Sequence, residues 1–266
     1  MILKKKSLAI VLLSLSLLAY FLKAKIFLDP DFGWSVRFGE IILKSGIPSK
    51  DPFSYTMPNY RYADHEWLTH LGMAKAYSLF GYSGLALIFS LFATLAILII
   101  IWRVDPRFTV LQILFASATL FSFFGVRSQV ISWLLFALVS RITLDQAWWK
   151  RFRYFMPFLF LLWANLHGGF MTGLIVLIVG NFSRQSFKNI LIVLASILIT
   201  LFNPYGLRLW REVWISLTDL AIRFYIIEWR PIIFGVTSAV LIFLAFSLAF
   251  IIRYWKKYKK YEIVLY

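Results

Sequence analysis

Two aspartates separated by one proline, Asp29-Pro30-Asp31, are the first residues whose types and spacing could do chemistry. Pro30 holds the backbone before it extended, so the two carboxylates emerge together. Such a pair can hold a divalent cation, or one member can act as a general base while its neighbour's like charge tunes its pKa. The same residues also suit a structural task, with Asp31 as N-cap and dipole partner of a helix beginning at Phe32. His65-Glu66-x-x-x-His70 is a second candidate. It has one residue too many for the zinc-protease spacing H-E-x-x-H, and on a helix its imidazoles would point about 140° apart. Glu66 and His70 share a helix face and can equally be a surface pair supporting that helix. A third candidate is Asn165-Leu166-His167-Gly168-Gly169. Polar side chains and helix-breaking glycines within an apolar stretch need protein or a wet cavity around them; a turn between two helices explains the glycines as well. Arg127, Arg208 and Arg230, each taken singly, suit headgroup anchoring.

The elements that must position these groups follow from composition. Of the 266 residues 61% are apolar and only 15% charged, against about 45–50% and about 25% in soluble domains, which excludes a soluble globule. The apolar residues fall in runs separated by short basic stretches, as in multi-pass helical membrane proteins, and do not alternate as in outer-membrane barrels. Lys and Arg number 28 against 12 Asp and Glu, a net charge of +16. They flank the apolar runs and form no single stripe, so they read as topology signals and not as a nucleic-acid surface. The absence of cysteine removes disulfides, thiolate metal sites and Cys nucleophiles.

The apolar runs are 7–22, 83–102, 108–124, 129–144, 154–166, 168–180, 190–202 and 231–252, so the expected fold class is an all-α membrane protein of about eight transmembrane helices. The first run has the shape of a signal peptide, but lysines follow it where a cleavage site would stand, so it reads as a retained span. Reading 154–180 as two short helices places Lys4 to Lys6, Arg103, Arg107, Lys150, Arg151, Arg153, Arg184, Lys188 and Lys256 to Lys260 on one side. One kinked helix there would leave seven spans and move Arg184 and Lys188 across. The eight-span arrangement makes a single integral domain over 1–266, in the plasma membrane with both termini cytoplasmic. It leaves 23–82 and 203–230 outside, where nine of the twelve carboxylates lie.

Within 23–82, Trp34, Phe38, Ile41 and Ile42 recur at helical spacing opposite Arg37, Glu40 and Lys44, which predicts an amphipathic surface helix stopped by Gly46 and Pro48. A second surface helix is expected from an Asp64 cap to Gly81, and a third over 206–225. Asp31, Glu66, Arg127, His167, Asn203 and Arg230 all fall at external ends, which predicts one wet cavity lined by them. On helical geometry, His65 and His70 should not both reach its rim. No glycine-rich phosphate loop appears, which argues against a nucleotide donor.

The order of several short motifs resembles the first outer loop of polytopic GT-C glycosyltransferases of the protein mannosyltransferase and aminoarabinose transferase type, and uncharacterised prokaryotic relatives of these. The motifs are Asp31 with the helix after it, Ser45-Gly46-Ile47-Pro48, Asp51-Pro52-Phe53-Ser54, His65-Glu66-Trp67-Leu68 and Leu79-Phe80-Gly81. The likeness continues through Arg127-Ser128-Gln129, Trp163 to Gly169 and Asn203-Pro204-Tyr205-Gly206, and so covers most of the chain. The resemblance implies surface helices in the first outer loop, a sugar donor carried on a polyprenyl phosphate, and Asp31 as the base just after the first span. Arg127 and Arg230 then stand as candidates for the departing phosphate, and His167, Asn165, Asn203, Glu66 and His65 as substrate-binding residues. A divalent cation on Asp29 and Asp31 is optional. The partners expected are the bilayer, the lipid-linked donor and an acceptor hydroxyl, with inversion at the anomeric carbon. The alternative is a non-catalytic binder or transporter of lipid-linked glycans on the same scaffold.

Overall fold

The computed structural model describes residues 2–102, 106–182, 184, 186–225 and 245. The described residues form α-helices and one 3-10 helix, joined by turns and by a long irregular segment over 46–66, and contain no strand. Two helices are long and apolar enough to cross a membrane: residues Ser7–Ile26 of α1 (Ile2–Ile26) and α3 (Trp67–Ile101). The outward face of α1, with Ile10, Val11, Leu15 and Leu18 about half exposed or more, is made for lipid. Its inner face is tied to α4 (Pro106–Phe123) by a Ser16 to Ser117 hydroxyl bond of 2.7 Å and by Tyr20 Oη donating to Ser117 O at 3.1 Å. Small residues of α3, Ala86, Ser90 and Ala93, are fully buried and let neighbouring backbones come close.

Gly81 divides α3. Its φ of 61° and ψ of −171° belong to backbone space that is essentially glycine's alone, so residues 67–80 form an arm and 82–101 the apolar span. The expected stop at Gly81 and the expected run from 83 correspond to these halves. On the arm lies α2 (Phe32–Ser45), closed by Gly46 at φ 78°. Its buried face is Phe32, Ser35, Val36, Phe38, Gly39 and Ile42, so the stripe is rotated from the expected one: Trp34 and Ile41 are only half-buried. Gly39 explains the rotation, because a Cβ there would overlap the backbone carbonyl of His70.

α5 (Gln129–Leu144) is followed by α6 (Gln146–Phe152), a 3-10 turn and α7 (Met156–Leu166), and the chain bends by 104° between α5 and the α6–α7 stretch. The basic stretch between the expected runs 129–144 and 154–166 is thus largely helical. Asp145 starts it by accepting from Ala147 N and Trp148 N at 2.8 and 3.1 Å. Two short helices, α7 and α8 (Phe170–Asn181), occupy 154–180, with His167 extended between them. After α9 (Phe187–Ile199), the expected helix over 206–225 is broken into α10 (Leu207–Thr218) and α11 (Leu220–Tyr225). Asp219 is extended between them and accepts from Ala221 N at 2.7 Å, the cap that restarts the helix. Arg103, Arg230, the run 231–252 apart from residue 245, and the basic tail lie outside the described residues.

Candidate functional site

Two carboxylate clusters form where α1 ends and α3 begins. In the first, Asp29 turns back on the chain: its Oδ1 accepts from Asp31 N at 3.0 Å, and its carbonyl accepts from Phe32 N at 3.1 Å. Its side chain is 7% exposed and lies against Gly125, where a Cβ would overlap the carboxylate. Asp31 is 43% exposed and occupies the N-cap position of α2, with no side-chain bond to the helix backbone. Its Oδ1 instead accepts from Trp34 Nε1 at 3.2 Å, and its Oδ2 meets Arg127 Nη2 at 3.2 Å. Arg127 Nη1 is 4.0 Å from Asp29. A guanidinium delivered by the turn before α5 therefore stands where a cation would neutralise the pair. Among the described residues, no group of three or more His, Asp or Glu could hold a metal ion.

The second cluster centres on Glu66. The backbone turns before α3: Asp64 Oδ1 accepts from Glu66 N at 2.9 Å, and the helix begins only at Trp67. His65 and Glu66 are therefore not on a helix face, and the angular argument separating His65 from His70 does not apply. Nor does Asp64 cap the helix; Glu66 holds the N-cap position. Glu66 Oε2 lies 3.2 Å from His70 Nε2, and Oε1 lies 3.4 Å from His65 Nε2 and 3.3 Å from His167 Nε2. His70 is wholly buried and its other nitrogen is 2.8 Å from Asp64 Oδ2, so Glu66 and His70 are not a surface pair. His70 stands between two carboxylates, and both of its nitrogens donate.

His167 reaches Glu66 because the α7–α8 break is built around its ring. Its Nδ1 accepts from Gly169 N at 2.9 Å and so carries no proton; the Ser132 hydroxyl, 2.7 Å away, donates to that nitrogen and itself accepts from Trp163 Nε1 at 2.7 Å. Burial pushes the His167 pKa down to about 4, against Glu66's charge and with help from the positive charges near it, Arg127 included. Burial also opposes charge on Glu66 and His65. The hydrogen bonds and charges between them outweigh it, holding the Glu66 carboxyl well below the carboxylate range and the His65 imidazole above its ordinary value.

Trp34 connects the clusters, since the ring whose N–H bonds Asp31 packs edge-on against His70 at 4.7 Å between centroids. Asp31, Arg127, Glu66, His65 and His167 thus come into one neighbourhood. The other expected residues do not join it as free ligands. Asn165 is consumed by structure, accepting from Trp67 Nε1 at 2.9 Å and donating to Leu161 O and Phe202 O. Asn203 shapes the turn before α10, accepting from Tyr205 N at 2.8 Å and donating to Thr200 O. Arg208 donates to Arg61 O at 2.9 Å and pins α10 to the segment before α3. Sequence reasoning missed Asp64, Ser132 and Trp34 as members, and it kept His70 from joining together with His65. The signal was the odd spacing D-x-E-x-x-x-H, which suits a turn entering a helix better than a helix. Compared with protein-family models, curated proteins and solved structures, the chain has no match in any of the three.

Proposed function

We propose that the protein is a membrane glycosyltransferase that moves a sugar from a polyprenyl-phosphate donor to an acceptor hydroxyl at the extracytoplasmic face. The observation that carries the reading is the 3.2 Å approach of Arg127 to Asp31, the open member of an otherwise buried acidic pair. A lipid-linked sugar phosphate is a pre-activated glycoside. The protein must take a proton from the acceptor and receive a departing phosphate, and the two groups stand side by side. The acceptor oxygen bonds to the anomeric carbon, its proton passes to Asp31, and the carbon–oxygen bond to phosphate breaks with its electron pair. Arg127 then pairs with the released phosphate. Displacement from the opposite face inverts the anomeric centre, and it requires Arg127 to part from Asp31 and follow the phosphate as donor and acceptor enter between them.

This reading takes the chain as eight spans with both termini cytoplasmic, the shorter apolar helices α4, α8 and α9 crossing with the help of tilt and shelter in the bundle. Asp31→Asn should lower glycosyl transfer by about a hundred- to ten-thousandfold with expression and melting unchanged. Asp29→Asn should do less, because its buried side chain holds Asp31's backbone. Transfer is read from reconstituted protein with a polyprenyl-phosphate sugar and mass spectrometry of the products, and undiminished turnover in Asp31→Asn sinks the assignment. The topology has its own check. A cysteine placed at Ser186, just before α9, should be labelled only from the cytoplasmic side.

A further inference from the structure

Three imidazoles meet Glu66, and they are not equivalent. His70 has a carboxylate on each nitrogen. His167 has Gly169 N and Ser132 on one nitrogen and Glu66 on the other. His65 sets Nε2 against Glu66, and among the described residues its Nδ1 meets no hydrogen-bonding partner. It is also the most open of the three, at 31% exposed against 19% for His167 and 0% for His70. Its ring is held in place: a Cβ on Gly168 would stand 2.9 Å from His65 Cδ2 and 3.2 Å from Val213 of α10, so the missing side chain lets helix and ring close around it.

A carboxylate on one imidazole nitrogen fixes the tautomer and leaves the other nitrogen to exchange a proton, which is how proton-transferring histidines are built. We propose that His65 is the general acid of the transfer, its Nδ1–H giving its proton to the phosphate as the phosphate leaves. The inference rests on the proposed function and names a group that function did not need. The acceptor's proton goes to Asp31 and the anomeric carbon–oxygen bond breaks. His65 Nδ1 then gives its proton to the freed phosphate oxygen, leaving a polyprenyl monophosphate and a neutral His65 in the Nε2–H form that Glu66 accepts. Glu66's charge, the high His65 pKa and the fixed ring all favour a protonated donor before the step.

The test uses the full chain in lipid nanodiscs. Histidine carbethoxylation by diethyl pyrocarbonate, which attacks an open unprotonated ring nitrogen, is quantified peptide by peptide across pH. His65 should titrate with a midpoint above the ordinary histidine value and, at pH above that midpoint, react fastest of the three, and Glu66→Gln should lower the midpoint by about one unit, a tenfold loss of proton affinity. Undecaprenyl phosphate at ten times its Kd should slow His65 labelling by about tenfold, whereas undecaprenol should leave it unchanged. The lipid arm needs no variant, so an unfolded Glu66→Gln does not spoil it. Undecaprenyl phosphate seen bound by native mass spectrometry with His65 labelling unchanged overturns the acid and spares the glycosyltransferase. No binding of the phosphate lipid overturns both. Faster labelling of His70 or His167 than of His65 above that midpoint overturns the geometry on which the acid rests.

Discussion

Asp31 and Glu66 are carboxylates touched by way of the same tryptophan, yet they are built in opposite ways. Asp31 draws its partners from close by, Asp29 and Trp34, plus one guanidinium, and stays 43% exposed. Glu66 is 14% exposed and collects three imidazoles, one of them a hundred residues along the chain. The difference separates availability from saturation. A carboxylate with one cation and an open side can exchange that cation for a ligand. A carboxylate whose oxygens are crowded by donors fixes the position of everything that points at it.

The comparison breaks most visibly at Glu66. Glu66→Ala leaves the wholly buried His70 with a single counter-ion, and breaking a buried ionic cluster typically costs about 3–5 kcal/mol, read as a loss of Tm in detergent. The same measurement on Asp31→Asn should show about 0–1 kcal/mol, because its pair is half open. Equal losses would erase the distinction.

Acid should act on the second cluster through His167. Its folded pKa of about 4 lies below the unfolded value of about 6.5, so the fold holds it neutral while the unfolded chain takes a proton. That contribution to stability is complete above about pH 6.5 and falls progressively toward pH 4, by about 3 kcal/mol at most. His65, raised, works in the other sense, its contribution present in acid and lost as pH rises through its folded pKa. His167→Asn keeps an acceptor for Gly169 N. The difference between its melting profile and the wild type's should therefore carry the acid-side loss, and parallel profiles would remove His167 as the cause. Gly125→Ala presses a methyl into Asp29 and should cost about 1–3 kcal/mol, with a larger fall in transfer than in Tm.

Local chemistry was legible in the sequence where it depends on neighbours along the chain. Gly46 and Gly81 stop helices at positive φ as expected, and Asp29 with Asp31 stands where the first helix ends. The gathering of Asp31, Arg127, Glu66 and His167 was expected, but the pairing of three imidazoles on Glu66 was not legible, for two physical reasons. Residues 64–66 precede the helix, so angles taken from a helical wheel misplace His65. His167 arrives from the α7–α8 break, and one sequence does not say which turn meets which. The helix starts at Asp145 and Asp219 were missed although each is a capping aspartate, because charge was weighed there as topology alone. Asn165 and Asn203 were expected as substrate-binding residues from the resemblance, but the amide of each is consumed by nearby backbone.

Gly81 has a consequence for how the protein lives in bilayers of different depth. Everything before it on α3, with α2 lying across that arm, belongs to the body that carries both carboxylate clusters; everything after it is the apolar rod. A joint at one residue sets the direction of the rod apart from that of the arm, and tilt is how an apolar helix answers a thinner or thicker hydrocarbon layer. Lys25 and Ser83, bonded at 2.7 Å, and Tyr82 with Ala24 O, also at 2.7 Å, clasp the joint to the end of α1, so the two rods lean together.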